Sequence, residues 1–371
     1  MAWARSSFPG TSRSAKGWAF GFTRRTLMHG APLIASRPRL PDPLTHVSVA
    51  IPVRDEADRI PALLAALAEA AHHSALPVEA VILANNCTDA SAEVAGSFAH
   101  PALAVRVHAV TFPTPEASAG RARRVAMDMA ARPGALLMTT DADALPQPRW
   151  IAVAVETVQR GADLVCGAIT CEVPHVLATL SGARITRAEQ AYAALQHQIR
   201  HCIDQMAGRQ PLGAPRPHYM ESGASMAIRA DRYLAVGGLP RMDHSEDRAM
   251  VHRAENDGLS VRYMAEMQAR VSARLQGRAE GGMAACLRHR MQDHDPLADQ
   301  AMLRPEVLRG LWTVALSGDL PVYPDRSLTP DTPLRASDLE AHLDALSRLL
   351  EGTVRPDFAA WRAQHAPMAA E

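Results

Sequence analysis

Lysine is almost absent from this chain: of its 39 basic residues, Lys16 alone is not arginine. With the heavy use of alanine, this is the composition of a GC-rich bacterial genome. Cysteine is scarce and odd in number, five with no C-x-x-C pair. That argues against a disulfide framework and for reduced thiols in a cytoplasmic protein. No run of about 18 apolar residues occurs, so no membrane-spanning helix is expected. Formal charge is zero, 39 basic against 39 acidic residues, which leaves no global electrostatic signature of a nucleic-acid partner. Neither G-x-G-x-x-G nor G-x-x-x-x-G-K-[ST] is present, which argues against a Rossmann dinucleotide site and a P-loop. No internal repeat is evident. At 371 residues the chain can bury a sizeable core, and one large α/β domain with appendages is expected.

What the chain does have is Leu136-Leu137-Met138-Thr139-Thr140-Asp141-Ala142-Asp143. An apolar run ending in two carboxylates one residue apart reads as a buried strand that delivers acids to its carboxyl end. In open α/β sheets the ligand crevice lies there. Two acids so placed repel each other and are partly desolvated. A hard divalent cation, Mg²⁺ or Mn²⁺, held by such carboxylates together with substrate phosphate oxygens resolves the conflict.

The surroundings repeat the pattern. Strand-length apolar runs at 46–53, 78–84 and 105–110 alternate with helical patterns ending near Ala71 and over 90–98, 120–131 and 148–159. Such alternation across short polar turns argues a largely parallel sheet with helices on both faces. Each strand end presents polar residues to one edge: Arg54 and Glu56, Asn85 and Asp89, Asp141 and Asp143.

The segments VSVAIPVRDEADRI, ILANNCTDAS, AGRARRVAMDMA and LLMTTDADALPQPRWI resemble, in order and spacing, the successive motifs of glycosyltransferase family 2, a GT-A-fold family. ESGASMAIRADRYLAVGGLP resembles its acceptor-side segment, and HSEDRAMVHRAENDG its acidic motif at a helix start. The resemblance spans roughly residues 47–278. It implies an α/β fold of GT-A type, a mixed, mostly parallel sheet flanked by helices, here with a helical C-terminal extension. It implies an enzyme that moves a sugar from a nucleotide-diphosphate donor to an acceptor hydroxyl, with Mg²⁺ or Mn²⁺ as cofactor.

Carried onto this sequence, the resemblance assigns Asp143 to the metal and Asp141 nearer the donor, with Ala142 between them in the donor-binding loop. Pro52, Arg54 and Glu56 fit the first nucleotide-contacting loop. Asn85 stands where the family commonly has an aspartate that accepts from uracil, which puts UDP in doubt and keeps GDP or another nucleotide open. Asp89 reads either as a base-edge contact or as a complement to the next helix N-terminus. Arg121 suits the diphosphate, with Arg123 and Arg124 as alternates. Ser245 offers an N-cap, with Glu246 and Asp247 in the first helical turn. The resemblance makes Asp247 the general base of an inverting reaction and Glu246 an acceptor or sugar contact. Mutual repulsion is expected to raise the pKa of one of the pair. Gly223 belongs to the acceptor wall, and Arg274 and Arg278 are candidates to close over the diphosphate. His289 and His294 are candidate third metal ligands.

Residues 1–45 carry seven Lys/Arg and one acid and read as a disordered basic extension, with Met28 as an alternative start. A membrane-surface tether is the competing reading, so peripheral membrane contact stays open. Residues 46–282 are expected to form the transferase domain and residues 283–371 a helical extension. In the latter, Leu339, Leu343, Leu346 and Leu350 sit at helical spacing, as a core-packing stripe does. His197 and His201 share a helix face without the glutamate of a zinc-protease motif. Cys166 and Cys171 read as small buried residues at a strand end. Three rivals remain: a retaining enzyme resembling glucosyl-3-phosphoglycerate synthase, which needs no base at Asp247; a nucleotidyltransferase, disfavoured because IPVRDEADRI has neither glycine nor lysine; and a non-catalytic nucleotide-sugar-binding subunit. The acceptor is not readable.

Overall fold

The computed structural model describes residues 43–113, 117–243, 245–277, 282–318 and 333–365. Residues 1–42, Arg278 and most of the Pro-rich stretch 321–333 lie outside the described residues.

In chain order the elements are β1 (His46–Val53), α1 (Ile60–His72), β2 (Val78–Asn85), α2 (Ser91–Ser97), β3 (Ala104–Val110), α3 (Ala119–Ala130), β4 (Ala135–Thr139), β5 (Leu145–Pro146), α4 (Trp150–Gln159) and β6 (Leu164–Thr170). They continue as α5 (Pro174–Leu177), α6 (Leu180–Met206), β7 (Met226–Arg229), α7 (Ala230–Ala235), α8 (Glu246–Asn256), β8 (Val261–Arg270), α9 (Met283–Gln292), α10 (Pro305–Leu316), α11 (Ala336–Leu349) and α12 (Arg355–His365). A π-helical turn, Leu350–Val354, joins the last two.

The eight strands form one sheet in the order β3-β2-β1-β4-β7-β6-β8-β5. Strands β3, β2, β1 and β4 pair in parallel. β7 runs antiparallel to both β4 and β6, β8 is parallel to β6, and short β5 closes the far edge antiparallel to β8. The sheet is therefore mixed and mostly parallel, with helices on both faces, as expected. The central strands are largely apolar because both faces are buried, as in parallel sheets generally. Alternate residues separate the layers. Val47, Val49 and Ile51 of β1 pack with Ile60, Leu64 and Leu67 of α1 and Trp150 of α4. Ala50 of β1 with Val81 and Leu83 of β2 packs against Ala122, Ala126 and Met127 of α3 and Met250 of α8.

A third apolar cluster joins α6 to the C-terminal helices. Ile185, Tyr192, Ile199 and Ile203 of α6 pack with Leu308 and Trp312 of α10 and with Leu339, Leu346 and Leu349 of α11. Leu339, Leu346 and Leu350 are fully buried and Leu343 packs partly against them, so the leucine stripe is core. Among the described residues no helix is long and apolar enough to cross a membrane.

Candidate active site

Strand β1 continues into β2 on one side and neighbours β4 on the other, so the loops leaving the carboxyl ends of β1 and β4 flank the point where the sheet order reverses. That is where open α/β sheets bind ligands. Thr140 donates its N–H to Ala50 O (3.4 Å) and its hydroxyl to Ala224 O (2.9 Å). Asp141, Ala142 and Asp143 then form a tight turn closed by Ala144 N–H to Asp141 O (3.1 Å). Ala142 is buried, and the two acids are partly buried on either side of it.

The two acids meet different cations. Asp143 lies 3.3 Å from Arg274, whose guanidinium also grips Glu56 through both terminal nitrogens. Glu56 further accepts from Arg59 (3.1 Å). Burial, then the nearby charge of Asp141, pushes the Asp143 carboxyl up to about 6, against the opposing pull of Arg274. Asp141 instead accepts from Arg123 Nη2 at 2.5 Å.

Arg123 is the hub of the site. Its Nε donates to Glu246 (2.9 Å), and its Nη1 donates to the Thr139 hydroxyl and to Gly223 O (both 2.9 Å). Burial alone would weaken its charge, but Asp141 and Glu246 outweigh that and raise its pKa. Gly223 then donates its N–H to Asp247 Oδ2 (2.7 Å), and Arg248 N–H donates to Asp247 Oδ1 (2.8 Å). One buried guanidinium and one glycine peptide thus connect the turn after β4 to the first turn of α8. Arg123→Ala leaves Asp141 and buried Glu246 without their cation. A loss of about 3–5 kcal/mol is expected, measured by denaturant unfolding; a loss below 1 kcal/mol contradicts the hub. A Cβ on Gly223 would stand 2.5 Å from Arg123 Cζ. Gly223→Ala is expected to cost about 1–3 kcal/mol and to depress turnover by displacing Arg123; unchanged unfolding and turnover would show that the contact relaxes freely.

Several expected positions differ in detail. Glu246, expected at the acceptor, is turned inward and only 5% exposed. Its pKa is raised, first by burial and also by Asp247, with Arg123 opposing. Ser245 does not cap α8: its φ of 63° is left-handed and it makes no side-chain cap bond, whereas a capping residue needs extended backbone. Arg121, expected at the diphosphate, lies over the Phe112 ring at 4.6 Å; Asn86 holds Phe112 by reciprocal bonds of 2.9 and 3.1 Å. Residues 271–277 are not helical, and Arg274 reaches the acids from a loop.

Pro52 and Arg54 are half-buried at the end of β1, and Asn85 is buried at the end of β2. Asp89 joins these loops. It accepts from Ala57 N–H (3.1 Å), Ser91 N–H (2.9 Å) and the Ser91 hydroxyl (2.5 Å), while Asp55 accepts from Thr88 N–H at 2.6 Å. The helix-start reading of Asp89 is therefore the one its hydrogen bonds satisfy. Asp55, Cys87 and Asp89 bring three ligand-type atoms within 4.8 Å. Both carboxylates already serve backbone donors, and burial raises the Cys87 thiol, which suits a hard ion poorly. The oxygens of Asp141 and Asp143 fit Mg²⁺ or Mn²⁺ better. His289 pairs with Asp293 (3.1 Å), and the backbone O of His294 accepts from Arg184 (3.4 Å). Asp293 and Asp295 serve Arg335 and Ser337, so this triplet braces α11.

Three cavities adjoin these groups. One of about 310 Å³ is bounded by Asp143, Arg59 and Arg270; it shares Arg59 and Ala273 with a more open one of about 550 Å³ that includes Arg274 and His175. A third, of about 280 Å³, is lined by Ser222 and Arg248, the chain neighbours of Gly223 and Asp247. Cations on the first two suit a phosphate-bearing ligand. Missed by sequence reasoning were the buried role of Arg123 and a second buried guanidinium, Arg200, which pairs with Glu221 (3.0 Å) and Glu255 (3.4 Å). The arginine run in AGRARR was the only available signal for the former.

No curated protein matches the chain. Among solved structures, similarity extends to TarS 1–349 of S. aureus in complex with UDP-GlcNAc (12% identity over 87% of this chain and 77% of that one, TM-score 0.43). It extends also to the mannosyltransferase PcManGT from Pyrobaculum calidifontis in complex with GDP-Man and Mn²⁺ (17% identity, 89% and 78%, TM-score 0.45). A third is glucosyl-3-phosphoglycerate synthase from Mycobacterium tuberculosis in complex with Mg²⁺ and UDP (16% identity, 66% and 78%, TM-score 0.39). Residues 48–210 match the family described as Glycosyl transferase family 2. That match takes in both acids after β4 and Arg123, so residues 48–210 form a segment of the glycosyl transferase family 2 type.

Proposed function

We propose that the protein transfers a sugar from a nucleotide-diphosphate donor to an acceptor hydroxyl with inversion at the anomeric carbon. The observation that carries this reading is the Arg123–Gly223 relay, which ties the acids after β4 to the acidic first turn of α8. Donor and acceptor groups must be held in line for direct displacement, and a rigid buried link between the two acidic centres serves that purpose.

Asp247 is the base. Two backbone N–H groups, those of Gly223 and Arg248, fix its carboxylate, and each oxygen keeps a further lone pair for the acceptor hydroxyl. As the acceptor oxygen bonds to the anomeric carbon, its proton passes to Asp247, and the carbon–oxygen bond to the diphosphate breaks with the electron pair leaving on the diphosphate. Asp143 with Asp141 would hold Mg²⁺ or Mn²⁺, which when bound supplies Lewis-acid neutralisation of the leaving group. The fit rests on an acid cluster, Asp141, Asp143, Glu56 and Glu246, that Arg123, Arg274 and Arg59 only partly balance. Arg274, placed between Glu56 and Asp143, is the residue to turn toward the diphosphate. Five unpaired cysteines suit a reducing cytoplasm. NMR of the product anomer tests the mechanism: inversion is expected, and retention would assign the chemistry to a mechanism without a base at Asp247.

A further inference from the structure

We infer that the 280 Å³ cavity beside Asp247 is the acceptor subsite and that it takes an uncharged sugar ring, discriminating against phosphorylated or carboxylated acceptors. The inference rests on the glycosyl-transfer reading and adds the chemical class of the acceptor.

Size and position come first. At ~30 Å³ per water the cavity has the volume of roughly nine waters, the scale of one ring. Glu221 and Ser222 line it immediately before Gly223, and Arg248 lines it immediately after Asp247, so a ring seated there lies next to the candidate base.

Charge decides the class. Arg200 and Arg248 are the arginines of the lining, and both are compensated. Arg200 stands 3.0 Å from Glu221, 3.4 Å from Glu255 and 3.7 Å from Asp204, and it covers the Tyr219 ring at 4.2 Å. Arg248 stands 3.2 Å from Asp299. Burial holds Glu255 above the ordinary carboxylate range, yet Glu221 alone balances Arg200. Of the three lining imidazoles, His197, His218 and His252, burial lowers the pKa of His197, to about 4, and of His218, so neither of those two adds a positive charge at neutral pH. An anionic acceptor would have to displace a carboxylate from an arginine and meet the lining carboxylates Glu221 and Asp299, and that repulsion sets specificity as firmly as attraction does. An uncharged ring meets no such cost. Met220, Met302 and Ile169 line it together with the Ser222 side chain and the imidazoles, a lining of apolar surface with a few polar groups, as small-molecule sites generally have.

Saturation-transfer NMR on the full chain tests this with the methyl glycosides of glucose, galactose, mannose and N-acetylglucosamine, against glucose 6-phosphate, mannose 6-phosphate and 3-phosphoglycerate. At least one neutral glycoside is expected to bind, with its phosphorylated counterpart at least tenfold weaker. Ala301 lines the cavity, and Ala301→Trp, which fills it, is expected to abolish the glycoside signal while the melting shift with UDP or GDP plus Mn²⁺ persists. Should that variant fail to fold, the wild-type preference decides. Binding of the phosphorylated compounds at equal or greater strength, absence of any glycoside signal, or glycoside binding that survives Ala301→Trp overturns the inference. Glycoside binding without any nucleotide shift would instead overturn the donor reading and leave the sugar subsite standing.

Discussion

Asp143→Asn is expected to abolish the melting shift produced by a nucleotide diphosphate with Mn²⁺, and to leave the ligand-free protein at least as stable as the wild type. The two halves have one cause. Asp143 is partly buried beside Asp141 and near Glu56, and its carboxyl is raised from 3.8 to about 6, chiefly by burial. A carboxyl whose folded pKa is raised ionises more readily in the unfolded chain. Stability therefore falls as pH rises from about 4 to about 6, and the penalty persists above that window. At 1.36 kcal/mol per pKa unit the penalty is at most about 3 kcal/mol, and the amide removes it at neutral pH. The same change deletes the charge that would hold the cation, so ligand-linked stabilisation, about 2.7 kcal/mol at a hundredfold excess over Kd, disappears. Equal shifts in the variant and the wild type would remove Asp143 from the metal site. A fall in ligand-free stability would show that Arg274 rather than a cation is its main partner.

Asp247→Asn is expected to lower turnover by about 10²–10⁴-fold, the range for a positioned base, with nucleotide affinity near that of the wild type. Asp247 is held by the backbone N–H groups of Gly223 and Arg248, whereas Asp143 pairs with Arg274, so its effect falls on kcat more than on donor binding. The amide keeps one acceptor and turns an NH₂ toward the second backbone N–H. An unpaired buried donor costs about 1–3 kcal/mol, which unfolding measurements separate from the chemical defect. Near-normal turnover in a folded variant would make Asp247 a helix-start residue only.

The layers of the fold are legible because their causes are local. β1 occupies 46–53 as its apolar run indicates, and the helices begin and end within a few residues of the polar turns that bound them. The acidic turn after β4 is legible for the same reason: burial ends where the carboxylates begin. The wiring of the site is not local. Arg123 and Arg121 sit in one run, and only the three-dimensional packing of α3 buries the former against Glu246, 123 residues away. Arg274 and Glu56 are 218 residues apart. Ser245 illustrates a different limit: the residue type suits an N-cap, but its left-handed backbone, which the sequence does not display, withholds the side chain from the role.

The central claim is metal-dependent transfer from a nucleotide-diphosphate sugar, and release of the nucleoside diphosphate tests it most directly. The full chain is incubated with a panel of UDP- and GDP-sugars and a pool of neutral glycosides, with Mn²⁺ or with EDTA. Release from one donor class is expected with Mn²⁺, raised by a glycoside and lost in EDTA and in Asp143→Asn. Release that is indifferent to EDTA, or nucleotide binding with no release from any donor under any condition, would contradict it.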